Sequence, residues 1–318
     1  IHRIKTVNNL LVVDWILSNV CNYKCTYCGP DSNGGDQYWP DIEQCEEAVR
    51  QITQQSTHDH RMYTILGGEP TVWRDFGRLA ESIKTIDPNS VVNILTNGSR
   101  TVNWWHKTKP YIDKVSISYH HESAEPEHVV DVVNEIQNEC QTNIQMLMDV
   151  NHFDKCIGIW EHLRDHTVVP IQIKKLQIEF GGHLGWQAYT DQQRDKMLQM
   201  HHETRDRPTT KRNITSLGIS VHYNNGQVVR EGCHDLIQAG INKFEGWKCS
   251  IGQDLIVIKP NGDVLPANAC NQHVVMGNIK TAPDQIKLLS DPIVCAYKEC
   301  TCGSDIEINK YDTLFKTA

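Results

Sequence analysis

Apolar runs that suit strands alternate with helix-like segments through the first 200 residues of the chain. Such alternation with short connections is typical of a parallel sheet covered by helices. The predicted strands are Val12–Ser18, Tyr63–Leu66, Val91–Thr96, Lys114–Ser118, Ile144–Val150 and Ile171–Phe180. The predicted helices are Glu43–Gln55, Phe76–Ile86, Val102–Lys107, Pro126–Cys140, Phe153–Asp165 and Asp191–His202. Because six units fall short of the eight in a closed barrel, we expect an α/β fold with an open, partial (β/α)6 TIM-like barrel.

The alternation stops near residues 205–213, and a different pattern follows. The later elements are predicted as a hairpin over Gly218–Arg230 that turns at Asn225-Gly226, a short helix near His234–Ile241, and a second hairpin around Pro260–Asp263. We therefore predict two domains, a barrel over residues 1–205 and a small α+β domain over residues 206–318.

Twelve cysteines are a high count for a chain of 318 residues. The N-terminal segment has no signal-peptide cleavage pattern, and clustered cysteines in an intracellular protein more often bind metal than form disulfides. Three cysteines lie within residues 21–28 and five within residues 249–302. The isolated Cys45, Cys140 and Cys156 occur in helical patterns, where we expect them to pack as small core residues.

Charge and hydropathy exclude two classes of partner. The net charge of −8 argues against a broad nucleic-acid interface, which needs a basic face. The sequence contains no apolar run long enough to cross a membrane. We expect a cytoplasmic protein.

Cys21, Cys25 and Cys28 form a CxxxCxxC loop directly after the first predicted strand. Three thiolates in a tight loop can hold three irons of a [4Fe–4S] cluster and leave the fourth iron open to a ligand. Half of a zinc site is the alternative, although zinc requires a fourth ligand nearby.

A CxxxCxxC loop after the first strand of an α/β barrel resembles the radical SAM superfamily, and the resemblance covers about residues 10–200. It implies that S-adenosylmethionine (SAM) binds the open iron and is reduced to methionine and a 5′-deoxyadenosyl radical, which abstracts a hydrogen atom from the substrate. Gly67, Gly68, Glu69 and Pro70 follow the second strand and are similar to the family's GGEP motif, which receives the SAM amino group.

The resemblance implies further SAM contacts at the ends of the next strands. Asn97 in Thr96-Asn97-Gly98 is a candidate for the polar groups of SAM, and Ser116 or Ser118 for its ribose. Tyr27 occupies the position whose backbone meets the adenine. A strand serine is also often only packed, and that alternative stays open.

The C-terminal cysteines are Cys249, Cys270, Cys295, Cys300 and Cys302. Their arrangement around a hairpin and a later loop resembles the twitch domain, a shortened relative of the SPASM domain, and implies one auxiliary [4Fe–4S] cluster. Five cysteines compete for four positions, so the ligand set stays open. A structural zinc site or free thiols are the alternatives.

Several polar residues follow strand ends, where barrel enzymes place their active sites. These candidates are Tyr119, His120, His121, Asp149, Glu179 and His183, and His120 is the preferred substrate contact. Cys233 stands apart from both cysteine groups. It is a candidate to return a hydrogen atom to a substrate radical, to ligate the auxiliary cluster, or to pack as a buried thiol.

The sequence predicts a radical SAM enzyme that modifies a peptide by crosslinking, epimerisation or oxidation. A dehydrogenase or epimerase of a small metabolite such as an aminosugar is the first alternative, and a non-enzymatic iron–sulfur electron carrier is the second. No cobalamin domain is visible, which disfavours a methyltransferase. The expected partners are a low-potential electron donor, flavodoxin or ferredoxin, and a separate peptide-recognition protein.

Overall fold

The computed structural model describes residues 1–37, 39–180, 183–209, 218–270 and 273–314, with the backbone alone for residues 177–180, 183–185, 234, 235 and 238. The strands are β1 (Arg3–Thr6), β2 (Leu10–Ile16), β3 (His60–Leu66), β4 (Ser90–Thr96), β5 (Lys114–Tyr119), β6 (Gln141–Met148), β7 (Ile171–Lys175), β8 (Gln177–Phe180), β9 (His183–Trp186), β10 (Ile219–His222), β11 (Val228–Glu231), β12 (Lys248–Cys249), β13 (Leu255–Ile258), β14 (Asp263–Leu265), β15 (Gly277–Asn278), β16 (Ile293–Val294) and β17 (Lys310–Tyr311).

The helices are α1 (Pro30–Asn33), α2 (Ile42–Gln55), α3 (Phe76–Ile86), α4 (Val102–Thr108), α5 (Pro126–Ile136), α6 (Phe153–His166), α7 (Asp191–Thr204), α8 (Cys233–Gln238) and α9 (Gly303–Ile306). Short 3-10 turns cover Pro70–Val72, Lys109–Tyr111, Val150–His152 and Pro283–Gln285. Among the described residues, no helix is long and apolar enough to cross a membrane.

Strands β2 to β7 are consecutive and parallel, and they form the centre of a nine-stranded sheet in the order β15-β14-β13-β2-β3-β4-β5-β6-β7. Helices follow β3 to β6, and apolar side chains from one face of the sheet pack against them. The predicted α/β fold with six barrel strands is confirmed. In the part of the chain that the structure describes, the edge strands β7 and β15 do not pair with each other, so the sheet is open.

One predicted strand is wrong as a single element. The segment predicted as Ile171–Phe180 breaks at Leu176, so that β7 joins the large sheet while β8 pairs with β9 in a separate hairpin. Leu176 is buried, and its backbone N–H binds the hydroxyl of Tyr189 at 2.9 Å. That side-chain contact ends the strand where the apolar pattern alone continued it.

Each part of the chain contributes a strand to the sheet that is formed mainly by the other part. Strand β1 pairs with β10 and β17 in the smaller sheet, and β13 pairs in parallel with β2 in the barrel sheet. Hydrogen bonds therefore cross the predicted boundary at residues 205/206 in both directions, and that boundary stays a prediction.

The C-terminal part closes the inner face of the barrel near the start of its strands. Leu10, Val12 and Met62 point away from the helices and pack with Leu255 and Cys249. Their burial places the C-terminal cysteines beneath the barrel, whereas the Cys21–Cys28 loop follows β2 at the opposite end of the strands.

Candidate active site

The two glycines of Gly67–Pro70 bring the end of β3 against the chain that leads to Cys21. The N–H of Gly68 binds the carbonyl of Ser18 at 2.9 Å, and the N–H of Glu69 binds the carbonyl of Val20 at 2.8 Å. A Cβ on Gly68 would lie 2.2 Å from the Val20 oxygen, and Gly67 adopts a φ of +139°. Only glycine fits this close approach, so the motif supports the cysteine loop directly.

Glu69 is completely buried, and its carboxylate is bound by the protein itself. One oxygen accepts hydrogen bonds from the Thr71 N–H, the Thr71 hydroxyl and the Thr96 hydroxyl at 3.0, 2.6 and 2.8 Å. The other oxygen accepts one from the N–H of Asn97 at 2.5 Å. Burial raises the pKa of Glu69, and these hydrogen bonds act against that rise. Glu69 therefore joins the ends of β3 and β4.

The thiols of Cys25 and Cys28 lie together in the loop, and their sulfurs and a ring nitrogen of His120 are all within 4.8 Å of one another. A hydrogen bond from Cys28 lowers the pKa of Cys25 to about 4, and the same bond raises the pKa of Cys28. The negative charge of Cys25 also contributes to the raised pKa of Cys21, whose largest cause is burial. The structure thus brings the sulfurs of Cys25 and Cys28 together, whereas the sulfur of Cys21 lies outside this group. Ligation of a cluster by all three thiols stays a prediction.

His120 lies against the cysteine loop. Its ring stacks on Tyr27 with centroids 5.9 Å apart, and its Nδ1 is 3.2 Å from the Tyr27 hydroxyl. The predicted substrate contact and the predicted adenine-binding residue thus touch each other. With His120, Cys25 and Cys28 offer two thiols and one imidazole, which zinc can also bind, so iron and zinc must be distinguished by chemistry.

Asn97 connects the end of β4 with the start of the cysteine loop. Its amide nitrogen donates to the side-chain oxygen of Asn22 at 3.0 Å and lies 4.0 Å from the sulfur of Cys21. Opposite it, Glu122 accepts hydrogen bonds from the N–H and hydroxyl of Thr26 at 2.7 and 2.6 Å. The loop is therefore held from both β4 and β5.

From β4 to β7 the inner face of the barrel carries many polar side chains. Ser116 and Ser118 of β5 lie on this face, because Val115, Ile117 and Tyr119 alternate with them and pack on the helices. Cross-strand neighbours on the same face are Asn93, Lys114, Asn143, Gln145, Gln172 and Lys174. Ser116 donates to Asn143 at 2.7 Å. This face offers amide and hydroxyl groups beneath the cysteine loop.

The C-terminal cysteines gather below the barrel. Charges on Cys249, Cys295 and Cys300 contribute to raising the pKa of Cys270, whose largest cause is burial, to about 12. Burial also raises the pKa of Cys249, of Cys300 to about 12 and of Cys302 to about 11. Cys249 is buried and the other four thiols are half-buried. No three of these five sulfurs, all of them in the described part of the chain, lie within 4.8 Å of one another, so their joint ligation of a cluster stays a prediction.

A buried lysine accompanies these cysteines. Lys310 is 2% exposed, and its ammonium group donates to the carbonyls of Asp305 and Ile306 and lies 5.5 Å from the ring centre of Phe244. Its positive charge acts to lower the pKa values of Cys249 and Cys300.

Cys233 begins α8 and packs in the smaller sheet's core, apart from the Cys21–Cys28 loop. Its sulfur is 3.1 Å from the position of a Cβ on Gly303, and its charge acts on Lys174 of the barrel. Cys233 therefore lies beside Gly303, the residue that follows Cys302. Its catalytic role stays a prediction.

Two other groups of predicted residues have different outcomes. Tyr119 does not face the barrel mouth, because its ring is buried between sheet and helices and its hydroxyl donates to the Ala124 carbonyl at 2.8 Å. The side chains of Glu179 and His183 lie outside the described residues.

The sequence reasoning missed several residues of the site. Nothing in the sequence except proximity to the motifs indicates a role for Thr71 and Thr96. Asp14 could have been found, because it is a charged residue within the apolar run Leu10–Ile16. Asp14 is buried on β2 and accepts from Asn268 at 2.6 Å. It thereby connects the barrel with the C-terminal part.

Residues 15–167 match the radical SAM superfamily. The match includes the cysteine loop and both the Gly67–Pro70 and Thr96–Gly98 turns. This superfamily uses SAM and a 4Fe–4S cluster, and its members are enzymes.

Curated relatives are matched over short segments. GTP 3′,8-cyclase of Haemophilus influenzae (strain 86-028NP) is 32% identical over 84 residues, which cover 26% of this chain and 25% of that protein. GTP 3′,8-cyclase of Vibrio parahaemolyticus is 23% identical over 181 residues, which cover 51% and 52%. The chain thus spans between a quarter and a half of the length of these relatives.

Solved structures share the fold over most of the chain. The structure of anSMEcpe with bound AdoMet has a TM-score of 0.55 at 18% identity and covers 86% of this chain and 78% of that one. Streptococcus suis SuiB bound to S-adenosylmethionine has a TM-score of 0.55 at 18% identity and covers 85% and 63%.

Proposed function

Because this chain carries a radical SAM domain over residues 15–167 and is an enzyme of that superfamily, we propose that it cleaves SAM reductively and abstracts a hydrogen atom from a peptide. Cys21, Cys25 and Cys28 are the proposed ligands of the first [4Fe–4S] cluster. When bound, this cluster supplies the electron that splits SAM into methionine and the 5′-deoxyadenosyl radical. The family match across the paired thiols of Cys25 and Cys28 carries this proposal.

The residues of the loop and its neighbours have proposed roles in holding SAM. Gly67 and Gly68 let the turn after β3 pack closely against Ser18 and Val20, and Pro70 starts the 3-10 turn that follows Glu69. Asn97, fixed by Glu69, directs its amide toward Cys21. Tyr27 stacks on His120 and limits the space above the loop. Ser116 and Ser118 offer hydroxyls on the inner face for the ribose.

A peptide is the proposed substrate class for two reasons. The inner face carries the amides of Asn93, Asn143, Gln145 and Gln172, which can donate to and accept from a peptide backbone. In addition, the solved structures of similar fold include anSMEcpe with bound AdoMet and Kp18Cys peptide, and SuiB bound to the precursor peptide SuiA. A small metabolite, such as an aminosugar, is the alternative substrate.

The C-terminal part, residues 206–318, is proposed to be a twitch-like domain with an auxiliary [4Fe–4S] cluster. Cys249 and Cys270 are the first proposed ligands, because Cys249 belongs to a buried cluster and Cys270 packs against that cluster. The other candidates are Cys295, Cys300 and Cys302. A low-potential flavodoxin or ferredoxin and a separate peptide-recognition protein are the proposed partners.

The first experiment tests radical chemistry. Anaerobically reconstituted protein with dithionite and SAM should release 5′-deoxyadenosine and contain about eight irons. Replacing Cys21, Cys25 and Cys28 together by alanine should abolish 5′-deoxyadenosine and leave about four irons. Cys45→Ala is the control, since Cys45 is buried in α2 away from both groups. Zinc in the loop, or iron without SAM cleavage, would contradict the proposal.

The second experiment identifies the substrate class without a known substrate. Uniformly deuterated extract is separated by size into a peptide fraction and a small-metabolite fraction, and each is incubated with enzyme and SAM. A substrate transfers deuterium to 5′-deoxyadenosine, which mass spectrometry detects. We expect the label from the peptide fraction. Label from the metabolite fraction alone would favour the alternative.

A further inference from the structure

A second group of possible metal ligands lies at the barrel mouth, outside the cysteine loop. The ligand atoms of His121, Asp149 and His152 are all within 4.8 Å of one another. His121 follows β5, Asp149 follows β6, and His152 ends the 3-10 turn Val150–His152. Two neighbouring strand ends therefore deliver two imidazoles and one carboxylate to a single point.

The three ligand atoms are already close to a metal coordination sphere. The Nε2 of His121 and the Nδ1 of His152 are 3.1 and 2.7 Å from the same oxygen of Asp149. Metal–ligand bonds of about 2.1 Å that meet at tetrahedral angles place neighbouring ligand atoms about 3.4 Å apart. The observed separations are shorter than that, so the imidazoles must move apart by less than about 1 Å to admit an ion.

The carboxylate is oriented by other residues. Its second oxygen accepts hydrogen bonds from the N–H of Asn151 at 3.1 Å and from the side chain of Gln187 at 3.0 Å. A carboxylate with one oxygen fixed and the other directed at two imidazoles is the arrangement that outer hydrogen bonds impose on metal ligands.

His121 is 3% exposed, and its Nδ1 is buried without a hydrogen-bond partner among the described residues. At 3.1 Å the Nε2 of His121 is within hydrogen-bond distance of the Asp149 oxygen, a contact that keeps the proton on Nε2 as long as no ion is bound. Because no described residue binds Nδ1, the proton can shift there when a cation replaces this hydrogen bond, and the Nε2 lone pair then binds the ion.

We propose that His121, Asp149 and His152 bind one divalent transition-metal ion of the zinc class. Two imidazole nitrogens and one carboxylate oxygen form a ligand set that such ions prefer over calcium or magnesium. The His152 side chain is 53% exposed, so the remaining coordination position is open to solvent at the barrel mouth. The ion ties the ends of β5 and β6 together beneath Tyr27, whose ring lies 5.8 Å from that of His121.

The test uses cluster-loaded protein and Co²⁺ as the probe. Oxidised [4Fe–4S] clusters have no electron paramagnetic resonance (EPR) signal, so high-spin Co²⁺ can be detected beside them. Wild-type protein dialysed against Co²⁺ and then washed with a weak chelator should retain one equivalent with a Co²⁺ EPR signal. His152→Gln should weaken retention at least tenfold, with unchanged iron content and circular dichroism.

His106→Gln is the matched control. His106 is exposed, and its Nδ1 lies 2.7 Å from Glu135, so it makes the same kind of imidazole–carboxylate contact as His152. The second group at Glu135 is the ammonium of Lys109 and not an imidazole, so no metal site is expected there. This variant should retain Co²⁺ like the wild type. Asp149→Asn is the second variant at the site and should also lose the ion.

Equal retention by wild type and His152→Gln, or no retained equivalent in the wild type, would overturn the proposal and leave a hydrogen-bonded triad. Because His152 is exposed, its variant should fold even where Asp149→Asn does not. The result is independent of the proposed radical chemistry, since cobalt retention and iron content are measured separately.

Discussion

The carboxylate of Glu69 accepts a hydrogen bond of 2.5 Å from the backbone N–H of Asn97, and both residues are buried. This bond joins the turn after β3 to the turn after β4. Since Asn97 also lies beside Cys21, the position of Glu69 is transmitted to the cysteine loop.

Glu69→Gln should weaken both stability and SAM binding. Glutamine has one acceptor oxygen, so its amide would face a donor at either Asn97 or Thr71, and an unpaired buried donor costs about 1–3 kcal/mol. We expect the free energy of unfolding of the apoprotein to fall by that amount in denaturant titrations. SAM affinity, measured by equilibrium dialysis of cluster-loaded protein, should fall as well.

Glu81→Gln is the control for this prediction. Glu81 is exposed and accepts a hydrogen bond from Tyr111 at 2.9 Å, so its replacement should change stability by less than about 0.5 kcal/mol. If Glu69→Gln were as stable as wild type and bound SAM equally well, the hydrogen bond between Glu69 and Asn97 would be shown to contribute to neither stability nor SAM binding.

Gly68→Ala should displace the backbone that leads into the cysteine loop. The added methyl group would lie 2.2 Å from the carbonyl oxygen of Val20, which is the residue before Cys21. The backbone must shift, so we expect reconstituted protein to lose the iron of the proposed first cluster while retaining the iron of the proposed auxiliary cluster. Iron and sulfide analysis, with SAM cleavage as a second readout, measures this loss.

Gly77→Ala provides the comparison. Gly77 lies in α3 with no atom within 4 Å of an added Cβ. Alanine should stabilise the helix there by about 0.5–1 kcal/mol. Full iron loading of Gly68→Ala would show that the loop tolerates the displacement.

The local sequence pattern predicted the barrel because apolar residues alternate with polar ones, or follow one another, in step with the burial of each strand. The parallel register then brings Gly67–Pro70 and Thr96–Gly98 to one edge of the sheet, so their proximity was predictable. The pairing of β13 with β2 was not, because Leu255–Ile258 carries no local sign of a partner more than 200 residues away. Nor does the sequence indicate that Thr71 and Thr96 bind the Glu69 carboxylate.

Lys310→Met should make the reduction potential of the proposed auxiliary cluster more negative. A buried positive charge stabilises the reduced, more negative state of a nearby cluster. Lys310 is held by the carbonyls of Asp305 and Ile306 and acts on Cys249 and Cys300. EPR-monitored redox titration measures the shift. Lys310→Arg retains the charge and should retain the potential, and identical potentials in Lys310→Met and wild type would contradict this role.

Lys114→Met should stabilise the protein at neutral pH. Lys114 lies on the inner face of β5, and burial lowers its pKa from 10.5 to about 8, with the neighbouring Asp113 acting against that shift. Below pH 8 the lysine is charged in both states, and the folded state bears the cost of burying that charge.

The pH dependence follows from the direction of this shift. Between about pH 8 and pH 10.5 the folded chain has released the Lys114 proton while the unfolded chain still binds it, so the wild type gains stability relative to the variant as the pH rises. The advantage of Lys114→Met should therefore be largest below pH 8 and fall through that window. Denaturant titrations of both apoproteins from pH 7 to pH 10.5 measure it. Lys107→Met, on the exposed surface of α4, should show no such trend, and a pH-independent difference for Lys114→Met would mean that its ammonium is solvated inside the barrel.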